Sequence, residues 1–316
     1  MMEGSATTAI SIANMVSILF VGFLVCGMAE VAYVHKRLHA AKLDEYRMMG
    51  KGLGALTLAF ALVMLLLGPF NTAIVALWVA PHAPVHAGYS PMGWIYGLIV
   101  YELAYWIHHW LGHKVRLFWC VHSPHHAPES MSLFVGFNHF FFESTFYAPV
   151  IIGLFSGLLG VHPVVVAGIS ILDMSWGNSL HVSNHVVVRR YGFLERFMQT
   201  PSYHRVHHAQ NIRYMDMNYN SITLLWDWIF GTLQPLDDAE PVIYGITRDV
   251  DTSSFWDVHF GEFRLLWRDM RRAPSLRAAI SYLVMPPGWS HTGHQQTVAE
   301  LKAQLSVAAD GTVESP

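Results

Sequence analysis

The chain is poor in charge. Asp, Glu, Lys and Arg make up 13% of its 316 residues, against about 25% in an ordinary soluble domain. The formal net charge is −3, which gives a nucleic acid or other polyanion nothing to bind. Cysteine is scarce as well. Cys26 and Cys120 stand far apart, which excludes a disulfide framework and a paired-thiolate metal site. No glycine-rich flavin or nicotinamide fingerprint is present, so electrons for any redox chemistry must come from outside. The N-terminal MMEGSATTAIS lacks a positive n-region, and no cleaved signal peptide is expected. No internal repeat of fixed period is found.

What is abundant is apolar sequence and histidine. Hydrophobic residues make 53% of the chain, and the mean hydropathy is +0.32. The run at 10–34, broken mainly by Glu30, is long enough to cross a bilayer, which takes about 20 residues. A second span is expected at 52–80 and a third at 92–107. Shorter apolar stretches at 146–159 and 163–180 form either two further spans or a re-entrant hairpin. Lys36, Arg37, Lys42, Arg47 and Lys51 crowd the first loop, whereas the 81–91 loop has no Lys or Arg. The positive-inside rule puts the first loop in the cytoplasm.

Thirteen of the 20 histidines fall between positions 108 and 208. His122, His125 and His126 follow i, i+3, i+4 spacing, as do His204, His207 and His208. His181 and His185 are an i, i+4 pair. In a helix each such set shares one face. Faces turned inward in a bundle surround a metal with imidazole nitrogen, a donor that suits iron, zinc, copper and nickel. Ten candidate ligands exceed one ion's needs, so two ions are expected. The span order brings every histidine group to the cytoplasmic face.

The first group is ambiguous by spacing. His108 and His113 are five apart, and His109 and His113 are four apart. His109 is expected to face away. His139 is read as a donor behind the ligands. Glu102, Glu143, Asp173, Asp216 and Asp227 are carboxylates within reach, since a ligating imidazole donates its other N–H to a carboxylate or carbonyl. Their location in spans favours Glu102 and Asp173. Segment 255–289 alternates aromatics with Arg, which suits either an interfacial helix or a surface helix on the cytoplasmic cap. Segment 295–316 is polar and expected to be disordered at its end. The fold expected is all-α, an integral membrane helical bundle with a cytoplasmic histidine-rich di-metal cap. The divisions are 1–90 for N-terminal helices, 91–235 for the catalytic unit and 236–316 for the tail.

YWIHH-WLGH, LFWCVHSPHH, HVSNH, TPSYHRVHH and MDMNYNSITLLWDWIFGT resemble the fatty acid hydroxylase/sterol desaturase superfamily of membrane di-iron enzymes over roughly residues 90 to 290. Within it the chain looks most like the alkylglycerol monooxygenase branch, through HKVRLFWCVHSPHHAPESMSL, the Asp216-x-Asn218-Tyr219 element, WDWIFGT and the late PPGW. The resemblance implies ligands His108, His113, His122, His125, His126, His181, His185, His204, His207 and His208, with His139, Glu102, Asp173, Asp216, Asn218 and Asp227 behind them. His108 is preferred over His109 because it follows Tyr105-Trp106 at the branch's distance. A five-residue spacing to His113 then needs a wide turn, which Gly112 would permit. The resemblance also implies O2-dependent oxidation of a lipid C–H bond at two iron ions, for which zinc can substitute. The electron donor would be external, a reduced pterin or a ferredoxin- or cytochrome-type partner. The location implied is a bacterial inner membrane or endoplasmic reticulum. A sterol-type desaturase or hydroxylase and a non-redox membrane zinc protein are the alternatives.

Overall fold

A computed structural model describes residues 2–39, 42–67 and 71–309, with side chains over 18–39, 42–63 and 71–307. Among these residues there is no strand, only the isolated bridges Met198–Thr223 and Ala209–Tyr244. The helices in order are α1 (Met2–Leu38), α2 (Leu43–Leu67), α3 (Thr72–Val79), α4 (Pro91–Lys114), α5 (Arg116–His126), α6 (Ala148–Leu158), α7 (Pro163–Leu180), α8 (Pro201–His207), α9 (Leu225–Phe230), α10 (Phe255–Arg271), α11 (Leu276–Val284) and α12 (Val298–Ala309). A π-helical turn, Glu143–Tyr147, leads into α6.

One helix among the described residues, over Ile18–Leu38, is long and apolar enough to cross a membrane. The second expected span is not a single helix. The 52–80 run divides into the end of α2 and the separate α3, with 68–70 outside the described residues. Asn71 restarts the helix by accepting the Ile74 N–H at 3.1 Å, as an N-cap does. Helices α6 and α7 occupy the two expected short stretches and turn at Gly160, whose φ is +79°.

Helices α3, α4, α6 and α7 share one apolar core that includes Ala76, Val100, Ala104, Ile152, Val165 and Ile169. The packing is close because Gly153 and Gly157 face α3. A Cβ at Gly153 would stand 2.5 Å from the Thr72 carbonyl oxygen. Small residues four apart allow helix backbones such an approach. Helices α10 and α11 pack against α5 through Leu266, Tyr282 and Cys120, while Trp256 and Trp267 stay exposed. Segment 255–289 is thus two helices with one face packed on α5 and tryptophans on the other. The buried Arg116 guanidinium ties α5 to α10 through Asp269 at 2.5 Å. In the tail, 298–309 is helical, and 310–316 lies outside the described residues.

Candidate metal centre

Helices α4, α5, α7 and α8 bring nine buried histidines together in two groups. The first holds His109 and His113 of α4, His122 and His126 of α5, and His207 of α8. The second holds His125 of α5, His181 at the end of α7, His204 of α8 and His208 at the end of α8. Within each group the ligand nitrogens lie within 4.8 Å of one another. Helices α5 and α8 serve both groups because a helix turns about 100° per residue, so neighbours diverge. His126 and His208 stack at 4.4 Å where the groups meet.

Placement departs from expectation at two ligands. Helix α4 runs without interruption through Lys114, so His109 and His113 share a face and His108 does not. His108 is buried beside Tyr147, 3.8 Å from Glu143, and neither of its nitrogens has a partner. Gly112 makes no wide turn. Its missing side chain admits the His122 ring, which a Cβ there would meet at 3.2 Å. The second departure is His185. Helix α7 ends at Leu180, the i, i+4 relation to His181 is lost, and His185 is exposed in a turn.

The outer nitrogens of six of the nine rings are held, while that of His204 is buried without a partner. Nδ1 of His109 lies 2.7 Å from the Tyr219 carbonyl, that of His207 2.8 Å from Met217 and that of His181 2.9 Å from Gly177. Nδ1 of His125 lies 3.1 Å from the Val135 carbonyl. His122 faces Glu143 at 2.6 Å, and His113 faces Asp216 at 3.4 Å. Carbonyl oxygens only accept, so His125 and His181 each carry their proton on Nδ1. Their Nε2 atoms, 3.1 Å apart, then present two lone pairs to each other with no hydrogen between. A cation between them resolves that repulsion. His204 Nε2 is 2.8 Å from His181 Nε2 and 3.1 Å from His208 Nε2. Two nitrogens each about 2.0–2.1 Å from one ion would lie roughly 3.0–3.4 Å apart. In the first group, Nε2 of His122 and His126 are 3.1 Å apart, and Nε2 of His113 and His207 have no protein partner. The residues present fit metal ions.

Burial keeps eight of the nine imidazoles neutral, as a ligand must be. Burial first, then neighbouring histidines, lowers His109, His125, His126, His204, His207 and His208 well below the usual range. Burial brings His113 to about 4 and His181 to about 3. Burial alone would raise the Asp216 carboxyl, but His113 and Lys114 outweigh it and hold it low.

The expected supporting residues act at different removes. His139 lies 3.2 Å from Glu143 and stacks on His125 at 4.1 Å. Asp216 pairs with His113 and Lys114. Asp227 shapes the 216–220 loop by accepting the Tyr219 and Asn220 N–H groups at 2.8 and 2.9 Å. Asp216 and Asn218 both adopt left-handed φ, near +60°, in that loop, and Asn218 pins it to Gln234 and Tyr203. The loop supplies the carbonyls that hold His109 and His207. Glu102 sits farther out, accepting Thr223 N–H at 2.7 Å and Asn220 Nδ2 at 3.2 Å. Asp173 accepts from Tyr101 at 2.8 Å and from Ser221. The sequence named Glu143 only as one of several nearby acids and favoured Glu102 and Asp173, and no pattern reveals backbone carbonyls as supports. A cavity of about 140 Å³, lined by Tyr105, His108, Asp173, Asn178 and Ser221, touches rings of both groups.

Residues 94–232 match the family model "Fatty acid hydroxylase". Alkylglycerol monooxygenase of Danio rerio is 29% identical over 205 residues, covering 64% of this chain and 43% of that protein. Ornithine lipid hydroxylase OlsE of Rhizobium tropici is 25% identical over 187 residues, 56% of this chain and 54% of that protein. Lathosterol oxidase of Mus musculus is 27% identical over 156 residues, 46% of this chain and 49% of that protein. No solved structure matches. The chain thus spans less than half the length of the alkylglycerol monooxygenases it matches. The superfamily and branch named from the histidine motifs are those the comparisons return.

Proposed function

Taking residues 94–232 as a fatty acid hydroxylase domain most like that of the alkylglycerol monooxygenases, we propose that this chain is a membrane-bound oxygenase that hydroxylates a C–H bond of an alkyl or acyl lipid. The observation that carries the metal reading is the pair of facing lone pairs on His125 and His181, 3.1 Å apart. One ion belongs to His109, His113, His122, His126 and His207, the other to His125, His181, His204 and His208. Two iron ions, when bound, supply O2 activation, with electrons from an external donor. Zinc fits the same nitrogens, so donor type does not choose between them.

The chain's own residues bind and orient. Nδ1–H donation to Tyr219, Met217, Val135 and Gly177 fixes the tautomer of four rings and aims each Nε2 inward. Burial of all nine rings excludes bulk water, which protects a reactive site from side reactions. The cavity between Tyr105 and Asp173 would admit the reacting carbon of the lipid against both groups. We further propose that 91–235 is the catalytic unit, that the flanking helices seat it on the cytoplasmic face of a membrane, and that a redox partner approaches from that side.

The test is anaerobic reconstitution with ferrous iron, followed by a reductant, O2 and membrane lipids. Two irons per chain and an O2-dependent mass gain of one oxygen in a lipid are expected. Zinc occupancy without lipid oxidation under those conditions would favour the non-redox reading. A lipid product two hydrogens lighter, with no added oxygen, would favour a desaturase.

A further inference from the structure

Glu30 is the acid that interrupts the first apolar run, and its surroundings are specific. Its side chain is buried, 6% exposed, inside the helix most able to cross a membrane. One carboxylate oxygen accepts the Leu133 N–H at 2.7 Å, and the other accepts the Ser183 N–H at 2.6 Å. These donors lie 103 and 153 residues along the chain. Leu133 is two residues before Val135, whose carbonyl holds His125. Ser183 is two residues after His181. The same two loops meet again beside the rings, where a Cβ on Gly136 would stand 2.5 Å from Asn178 Oδ1 and 3.1 Å from His181 Nδ1. Helix α1 covers this junction, with Phe20 against Phe137 at 5.5 Å and Gly27 against Phe134. Glu30 thus fastens from outside the two segments whose histidines face each other at 3.1 Å inside.

We propose that Glu30 is a positioning residue for the ion held by His125, His181, His204 and His208. This rests on the two-ion reading above. A carboxylate does what no neutral side chain of that shape can. Both donors are backbone N–H groups, so both side-chain oxygens must accept. An amide at this position turns one NH2 toward an N–H in either orientation, and a buried unpaired donor is costly. The loops would separate, and His125 and His181 with them. Among the described residues the first group has no such tie to α1. Its rings are held by Glu143, Asp216 and the 217–219 carbonyls. The N-terminal helix, which lies outside the 94–232 match, therefore completes one half of the metal centre.

The experiment is an anaerobic ferrous iron titration of the full chain in detergent, with metal per chain and both dissociation constants measured. Glu30→Gln should weaken one ion about 10- to 100-fold and leave the other unchanged. Glu30→Asp keeps both acceptors on a shorter arm and should weaken the same ion less. Added to His204→Ala, Glu30→Gln should cost nothing further. Added to His207→Ala, it should weaken the ion that remains by the same factor. Equal weakening of both ions, or no change, overturns the role of Glu30. If Glu30→Gln does not fold, the selectivity of Glu30→Asp decides by the same criterion. Fewer than two irons in the unaltered protein would sink the two-ion reading instead. The comparison would then be made on the single ion, where unchanged affinity overturns the proposal.

Discussion

The Glu143 carboxylate holds His122, its Oε1 standing 2.6 Å from Nδ1 of that ring. Burial alone would raise the pKa of this acid, but His122 and His139 outweigh it and hold it below the usual carboxylate range. An ionised acid behind an imidazole fixes its tautomer and makes it a stronger ligand. The π-helical turn starting at Glu143 sets this contact, and such turns recur at functional sites.

Replacing the acid tests that relationship. Glu143→Gln should keep the fold and weaken the ion of the first group about 10- to 100-fold, as read by metal titration. Unchanged affinity at both ions would remove Glu143 from the metal centre.

The two candidates in the first histidine motif separate cleanly. His109→Ala should lose an ion and oxidation activity, because His109 points into the first group. His108→Ala should retain both ions, because its ring faces Glu143 and Tyr147. Elemental analysis of both variants decides, and the reverse pattern would return the ligand to His108.

His185 should be dispensable for metal. It is exposed and outside both groups. His185→Ala should bind two irons, whereas His181→Ala should bind one. A loss of iron in His185→Ala would mean that the 181–185 turn closes onto the centre.

Asp227 should matter through the loop it shapes. It also accepts from Thr232 at 2.6 Å and Trp106 Nε1 at 3.1 Å, making four donors on one buried acid. Asp227→Asn turns an NH2 against one of them, which costs about 1–3 kcal/mol. A lower melting temperature should accompany weaker binding in the first group. Stability unchanged in a denaturant titration would contradict this.

Membrane sidedness can be read at Arg213, which is exposed in the loop after α8. With Cys26 replaced by Ser, Arg213→Cys should resist a membrane-impermeant thiol reagent in intact cells and react once the membrane is opened. Labelling in intact cells would reverse the orientation.

Local sequence determined much of this protein. The i, i+3, i+4 spacings of His122, His125, His126, His204, His207 and His208 are a property of the helix itself, so the convergence of those six could be read directly. Hydropathy gave the Ile18–Leu38 helix and the α6–α7 pair. It failed at 52–80 because composition does not register where a helix stops, and the Asn71 cap starts a new one. The phase of α4 puts His109 rather than His108 in the first group, and Gly112 makes room for the His122 ring in a helix that stays regular. His185 lies apart from both groups because α7 ends at Leu180. The supports of the rings were decided last. Backbone carbonyls at 135, 177, 217 and 219 look alike in any sequence, and Glu30 reads as a flaw in an apolar run. Only the fold brings Leu133 and Ser183 to its two oxygens, because that pairing joins segments more than a hundred residues away along the chain.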